Sequence, residues 1–148
     1  MANATAFYDI VDKIKQILLE DDNVNTVTYG DITKVATEKT TIYPLSHMVV
    51  NSAVVKSNIF TFSVTIASMD IIDQSNIDKE SNEMDILNTQ FAVLSRLILK
   101  LRRSSMRNEG YQIVGEPTLE QFTHRFEDDV AGVDVTFDVN VVQDMSVC

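Results

Sequence analysis

The sequence predicts an α+β fold in which a mostly antiparallel sheet of four to five strands carries two helices on one face. Segments 60–66 and 133–141 alternate strictly between apolar and polar residues, the pattern of strands with one buried face. Segments 7–18 and 84–101 repeat apolar residues every three or four positions, as amphipathic helices do. In the order helix, strands, helix, strands, both helix stripes can cover the apolar side of one sheet.

Length and composition indicate one globular domain spanning residues 1–148. The hydrophobic fraction of 45% and charged fraction of 23% argue against a disordered chain. The net charge of −10 disfavours non-specific attachment to nucleic acid or to an anionic membrane. No signal-peptide pattern or membrane-length apolar run is visible, and the single cysteine, Cys148, cannot form an internal disulfide. We therefore expect a soluble intracellular protein.

The first helix is expected over about 4–20, where one apolar stripe follows helical spacing. A short strand over 24–30 should end at Gly30, and the polar segment 31–41 should form a surface loop. The apolar stripe consists of Phe7, Ile10, Val11, Ile14, Ile17 and Leu18.

A β-hairpin is predicted over about 47–69, with its turn at 56–58. Apolar residues of its second strand should face the core. Thr61, Ser63 and Thr65 then form an opposite face that is polar but carries no charge. The acidic segment 70–82 follows as a connecting loop that is long enough to suggest a functional role.

The long helix is expected over about 83–107. Its last turns contain five basic residues and no acid, which is favourable at a helix C-terminus: Arg96, Lys100, Arg102, Arg103 and Arg107. The apolar stripe steps by three and four residues and should face the sheet. It comprises Met84, Leu87, Phe91, Leu94, Ile98 and Leu101, widened by Ile86, Val93 and Leu97.

C-terminal strands are expected over about 111–142. Pro117 makes the first of them a strand of the edge or entry type, because proline cannot donate a ladder hydrogen bond. Segment 118–126 fits either a strand or a short helix, and 127–132 reads as a turn. The last strand should turn its valines and Phe137 inward and Asp134, Thr136, Asp138 and Asn140 outward.

The sequence contains no pattern typical of a catalytic, cofactor or metal site. His47 and His124 lie away from cysteines and carboxylates at ligand spacing, and we expect both to be solvated or partly packed. Four glycines cannot form a phosphate-binding loop. The acids of segment 70–82 lack the spacing and the turn glycine of a calcium loop. We therefore expect a protein without enzymatic activity, cofactor or metal.

Charge is distributed unevenly along the chain. Residues 116–144 carry eight acids and one base, in contrast to the basic end of the long helix. That end fits a solvated helix terminus, a nucleic-acid patch or a contact with acidic regions of another copy. The third reading permits head-to-tail association that closes into a ring.

Three stretches resemble tail-terminator and tail-completion proteins from the neck of tailed bacteriophages. They are "YPLSHMVVNSAVV" before the hairpin turn, "FTFSVTIASMD" with its acid at the strand end, and "FTHRFEDDVAGVDVTFDVNV". The order of elements is similar over nearly the whole chain. The resemblance implies a non-enzymatic virion protein, assembled in the host bacterial cytoplasm. It also implies a ring, commonly sixfold, that terminates the tail tube or joins it to the head and lets DNA pass without specific binding.

Within such a ring, we expect Asp134 and Asp138 to face the lumen, where carboxylates would repel passing DNA. Without the resemblance, ordinary solvent exposure of both acids is the favoured reading. The predicted partners are the chain itself, the tail tube protein and head–tail connector proteins, but no membrane. The expected subunit interface comprises Thr61, Ser63, Thr65, Arg96, Arg102 and Arg103, and the expected docking loop contains Asp70, Asp73, Asp78 and Glu80.

Two alternatives remain open. One is a stopper or adaptor ring nearer the portal, which would have the same fold. The other is a small cytoplasmic binding module that uses the basic end of the long helix. An enzyme is disfavoured further, because no convergent polar site is visible.

Overall fold

The computed structural model describes residues 6–30, 43–57, 59–72, 83–106, 111–125 and 130–142. Within these ranges the chain forms two helices and five strands, in the predicted order of helix, strands, helix, strands. They are α1 (Ala6–Leu19), β1 (Thr26–Tyr29), β2 (Leu45–Val55), β3 (Ile59–Ile71), α2 (Glu83–Met106), β4 (Tyr111–Arg125) and β5 (Val130–Val142).

The strands form one five-stranded sheet in the order β1-β2-β3-β5-β4. β2, β3, β5 and β4 pair antiparallel along their common edges, while the short β1 runs parallel to β2. Both helices contribute to the same apolar core on one side of this sheet. The predicted α+β class, with a mostly antiparallel sheet and two helices on one face, is confirmed.

The core forms because the alternating strands and the helix stripes meet. Phe62, Val64 and Ile66 of β3 point toward the helices together with the odd-numbered residues of β5, as predicted. Burying each such side chain contributes roughly 1.5–3 kcal/mol. The largest fully buried apolar side chains are Ile10, Ile14, Leu18, Leu45, Met48, Val64, Ile66, Met69, Leu94, Leu97 and Leu101.

The buried face of α2 is rotated relative to the predicted stripe. Met84 and Phe91 were expected in the core but are 76% and 51% exposed, whereas Gln90 is buried. At about 100° per residue, Met84 and Phe91 lie roughly 100–120° away from Gln90 around the helix. Ile86, Val93 and Leu97, which seemed only to widen the stripe, are at the buried centre. The heptad spacing identified the helix but gave the wrong orientation at its N-terminal half.

Several boundaries differ from the prediction. The hairpin is longer than 47–69, and β3 includes Asp70 and Ile71, so the connection 70–82 begins later than expected. β5 starts at Val130, inside the predicted turn 127–132. β4 runs through the ambiguous segment to Arg125, as a strand.

β4 is an edge strand, as Pro117 predicted. Its pairing with β5 shifts register between Val114 and Thr118, and Gly115 within this irregularity has a positive φ of 76°. A β-bulge of this kind lets an edge strand accommodate proline without losing the ladder on either side.

Candidate functional site

The sheet face opposite the helices carries the polar residues that the sequence singled out. Thr61, Ser63 and Thr65 of β3 lie on this open face, partly exposed. In the β3–β5 register Thr61 is opposite Asn140, Ser63 is opposite Asp138, and Thr65 is opposite Thr136. The three hydroxyl residues predicted for a subunit interface and the two acids predicted for a lumen are therefore neighbours on one surface.

Hydrogen bonds across the strands connect these polar side chains. The Asn51 side-chain amide donates to Thr65 Oγ1 at 2.7 Å, and Thr65 Oγ1 and Thr136 Oγ1 are 2.9 Å apart. Thr61 Oγ1 donates to Asn140 Oδ1 at 2.6 Å. Cross-strand pairs of this type stabilise a sheet by about 0.2–1 kcal/mol each. The hydroxyls thus hold one another in place.

Asp134 and Asp138 both point to the open face, as the alternation of β5 predicted. Asp138 is exposed and Asp134 is half-buried. Four residues of strand separate them, about 13 Å along β5. Asp134 is opposite Ala67 and Asp138 is opposite Ser63, so the two carboxylates flank the hydroxyl row of Thr65 and Thr136.

One end of the open face is apolar, which the alternation of single strands did not show. Leu45, Ala67, Met69, Phe122 and Val130 form a buried cluster there, with Tyr43 packed against it. Phe122 is opposite Gly132, and its ring occupies the space where a side chain at Gly132 would lie. The polar surface therefore covers only part of this side of the sheet.

His47 lies on β2, next to the edge strand β1. Its ring is buried, its Nε2 lies 2.7 Å from the carbonyl oxygen of Gly30, and its Nδ1 lies 2.7 Å from Thr28 Oγ1. A carbonyl oxygen only accepts, so Nε2 carries the proton and Nδ1 accepts from the Thr28 hydroxyl in the neutral ring. His47 is packed more fully than expected, and it ties the end of β1 to β2. The side chain of His124 lies outside the described part of the molecule.

Arg96, predicted at a subunit interface, makes a bidentate ion pair within the chain. Its Nε and Nη2 donate to Asp21 Oδ2 and Oδ1 at 2.7 and 2.9 Å. Burial raises the pKa of Asp21, but the hydrogen bonds from Arg96 and the Asn23 amide and the charges of Arg96 and Lys100 outweigh it. The pKa of this carboxyl is therefore lower than usual. This ion pair connects the C-terminal end of α1 to the middle of α2.

The other predicted interface arginines lie near the end of α2. Arg102 Nη2 donates to the carbonyl oxygen of Gly115 at 3.3 Å, which connects the helix to the bulge of β4. Arg103 is exposed. Neither residue lies on the open face with Thr61, Ser63 and Thr65, so the six predicted interface residues belong to two opposite sides of the sheet.

Of the four acids of the predicted docking loop, only Asp70 falls within the described residues. It lies near the end of β3, in register with Ala131, on the helix side of the sheet. Burial raises its pKa although the Ile71 amide donates to its Oδ1 at 2.8 Å. Asp73, Asp78 and Glu80 lie outside the described ranges.

A groove between α1 and β1 was not foreseen from the sequence. It encloses about 350 Å³, and Tyr8, Val11, Lys15 and Tyr29 are among its lining residues. Tyr8 is 64% exposed and Tyr29 is 47% exposed. Tyr8, Val11 and Lys15 are spaced three and four residues apart, which puts them on one face of α1. The sequence does not show that β1 lies opposite this face.

In the described ranges, no group of three or more histidine, cysteine, aspartate or glutamate side chains is arranged to hold a metal ion. Neither helix described here combines the length and apolar character needed to cross a membrane. Comparison with models of known protein families finds no match for this chain, and comparison with curated proteins finds none either.

Proposed function

We propose that this chain is a structural protein of a bacteriophage neck or tail. In this proposal, copies of it form a ring that terminates the tail tube or joins it to the head, and the resemblance implies sixfold symmetry. The lumen lets DNA pass, and the neighbours are the tail tube protein and the head–tail connector proteins. The resemblance of three sequence stretches supplies the family, and the open sheet face supplies the physical argument.

The observation that carries the proposal is the composition of this open face. A sheet face that is not packed against a core normally carries charges of both signs. Here the central rows consist of hydrogen-bonded hydroxyl and amide side chains, and the charges at Asp134 and Asp138 are negative. The described hydroxyl, amide and carboxylate side chains of these rows provide no positive charge to attract a phosphate. Such a surface suits a wall along which DNA slides.

The lumen assignment can be tested by reversing its charges. In rings assembled on purified tail tubes, Asp134→Lys with Asp138→Lys should retain DNA that the wild type releases, because each lysine adds a phosphate contact. The single variants Asp134→Lys and Asp138→Lys are each compared with Asp22→Lys. This control makes the same change of charge at an exposed site beyond α1. DNA retention is measured by electrophoretic shift at several salt concentrations. Equal retention by Asp22→Lys and Asp138→Lys rings would refute the lumen assignment.

Electron microscopy of tails assembled with and without the protein tests the ring itself. A ring at the end of the tube supports a terminator, whereas a ring bound only to connector or portal proteins supports the stopper or adaptor alternative. The binding-module alternative predicts a different result. In that case the protein stays monomeric in the presence of tail tubes and binds nucleic acid or an acidic protein, and Arg103→Glu abolishes this binding.

A further inference from the structure

The outer face of α2 carries three exposed apolar side chains in a part of the helix where charge is normally found. Met84, Phe91 and Leu99 are 76%, 51% and 53% exposed. At about 100° per residue these three side chains lie within roughly 80° of one another around the helix. The ten residues 86–95 include no charged residue at all. α2 therefore has a stripe of three exposed apolar side chains, with Asn88 and Ser95 between them, which the sheet does not cover.

Charged residues on this side of α2 lie near its two ends, apart from Arg96, which is paired with Asp21. Asp85 lies at the start of α2 and Arg103 near its end, and both are exposed. Eighteen residues separate them, which corresponds to about five full turns, so both lie on the same flank of the helix. The flank is thus acidic at its start and basic in its second half, where Arg96 lies about 20° from Arg103 around the helix and is paired with Asp21.

We propose that the outer face of α2 binds the same face of a second copy in an antiparallel, two-fold symmetric pair. Antiparallel packing places Met84 opposite the partner copy's Leu99 and Phe91 opposite its Ala92, whose small side chain leaves room for the ring. The same arrangement brings Asp85 within one to two turns of Arg103 of the other copy, a distance that an extended arginine side chain spans. Two such charge pairs form, one at each end.

The charge distribution selects this geometry. A parallel pair would place Asp85 against Asp85 and Arg103 against Arg103, and like charges across an interface are unfavourable. In an antiparallel pair each acidic end meets a basic end, and residues of one patch contact the same patch, as two-fold symmetry requires. This dimer does not depend on the proposed ring, which would use other surfaces and a different symmetry.

Sedimentation velocity of the full chain over about 1–500 µM tests the proposal, because a single helix pair buries less than a standard interface and should dissociate in the micromolar range. Phe91→Glu should raise the dissociation constant at least about tenfold. Val55→Glu, an equal change at a 71% exposed site on β2, should leave it unchanged. Circular dichroism verifies that each variant is folded.

Charge reversal tests the antiparallel register. Asp85→Arg and Arg103→Asp should each weaken the dimer about fivefold to tenfold at low salt. The double variant should restore it, as should an equimolar mixture of the two single variants, because all facing charges are again opposite. A wild-type chain that stays monomeric throughout the concentration range would overturn the proposal. So would a dimer that Phe91→Glu leaves intact, or one that both single reversals leave unchanged.

Discussion

Replacing Arg96 should destabilise the isolated chain, because this side chain holds a buried carboxylate. The Asp21 side chain is 8% exposed, whereas that of Arg96 is 44% exposed. Arg96→Met leaves the carboxylate without its bidentate donor, and we expect a loss of about 2 kcal/mol in the free energy of unfolding. Because the guanidinium is nearly half in solvent, the coupling between the two residues should be smaller, about 1 kcal/mol.

A double-mutant cycle of Arg96→Met and Asp21→Asn, followed by urea unfolding, measures this coupling. At submicromolar protein, where the proposed α2 dimer is dissociated, Arg103→Met is the matched control, since it removes the same charge from an exposed site on the same helix. The pKa of Asp21 is lowered in the fold, so the stabilisation is complete above the unfolded pKa and disappears as pH falls through the folded pKa. The difference between wild type and Arg96→Met should therefore vanish in acid. If Arg96→Met and Arg103→Met lost the same free energy of unfolding at pH 7, the stabilising role of the Arg96–Asp21 ion pair would be refuted.

Three further substitutions test other features of the fold. Gly132→Ala should lower the free energy of unfolding in urea by about 3 kcal/mol, because the added methyl would overlap the backbone carbonyl oxygen of Ser68. Gly115→Ala is the comparison: its methyl meets no neighbouring atom and adds only backbone strain, so the loss should be about 1 kcal/mol. Gln90→Leu should raise the unfolding free energy by about 1 kcal/mol, because Gln90 Oε1 is buried without a hydrogen-bond partner; a loss of stability would contradict this. Burial raises the pKa of Asp70, so its contribution to stability is greatest below the unfolded pKa and declines as pH rises through the folded pKa. Asp70→Asn should therefore be more stable than wild type at pH 7 but not at pH 3, and a constant difference would exclude this cause.

Alternation and helical spacing were sufficient to predict the fold class and the exposed side of the sheet. In β3 and β5 every second residue is apolar, and a one-residue change of register would move the entire set to the wrong face. The orientations of Thr61, Ser63, Thr65, Asp134 and Asp138 could therefore be assigned from local pattern alone.

Features that depend on contacts distant in sequence could not be predicted. Asp21 and Arg96 are 75 residues apart, and nothing local marks one as the partner of the other. The prediction of which face of α2 is buried was wrong for a related reason. A strict heptad drifts about 20° per repeat around a straight helix, so the side that packs is decided by the sheet, and Phe91 remained exposed.

The register of β3 and β5 also constrains which of the two predicted roles the open face can have. Asp138 is exposed next to Ser63, so a neighbouring subunit packed flat on the hydroxyl row would also cover this carboxylate. Burying a charge without a basic partner costs several kcal/mol. A water-filled channel imposes no such cost, because the carboxylates on its wall stay in contact with water. We therefore expect the hydroxyl row to accompany Asp134 and Asp138 at the lumen, and the contacts between subunits to use other surfaces of the molecule.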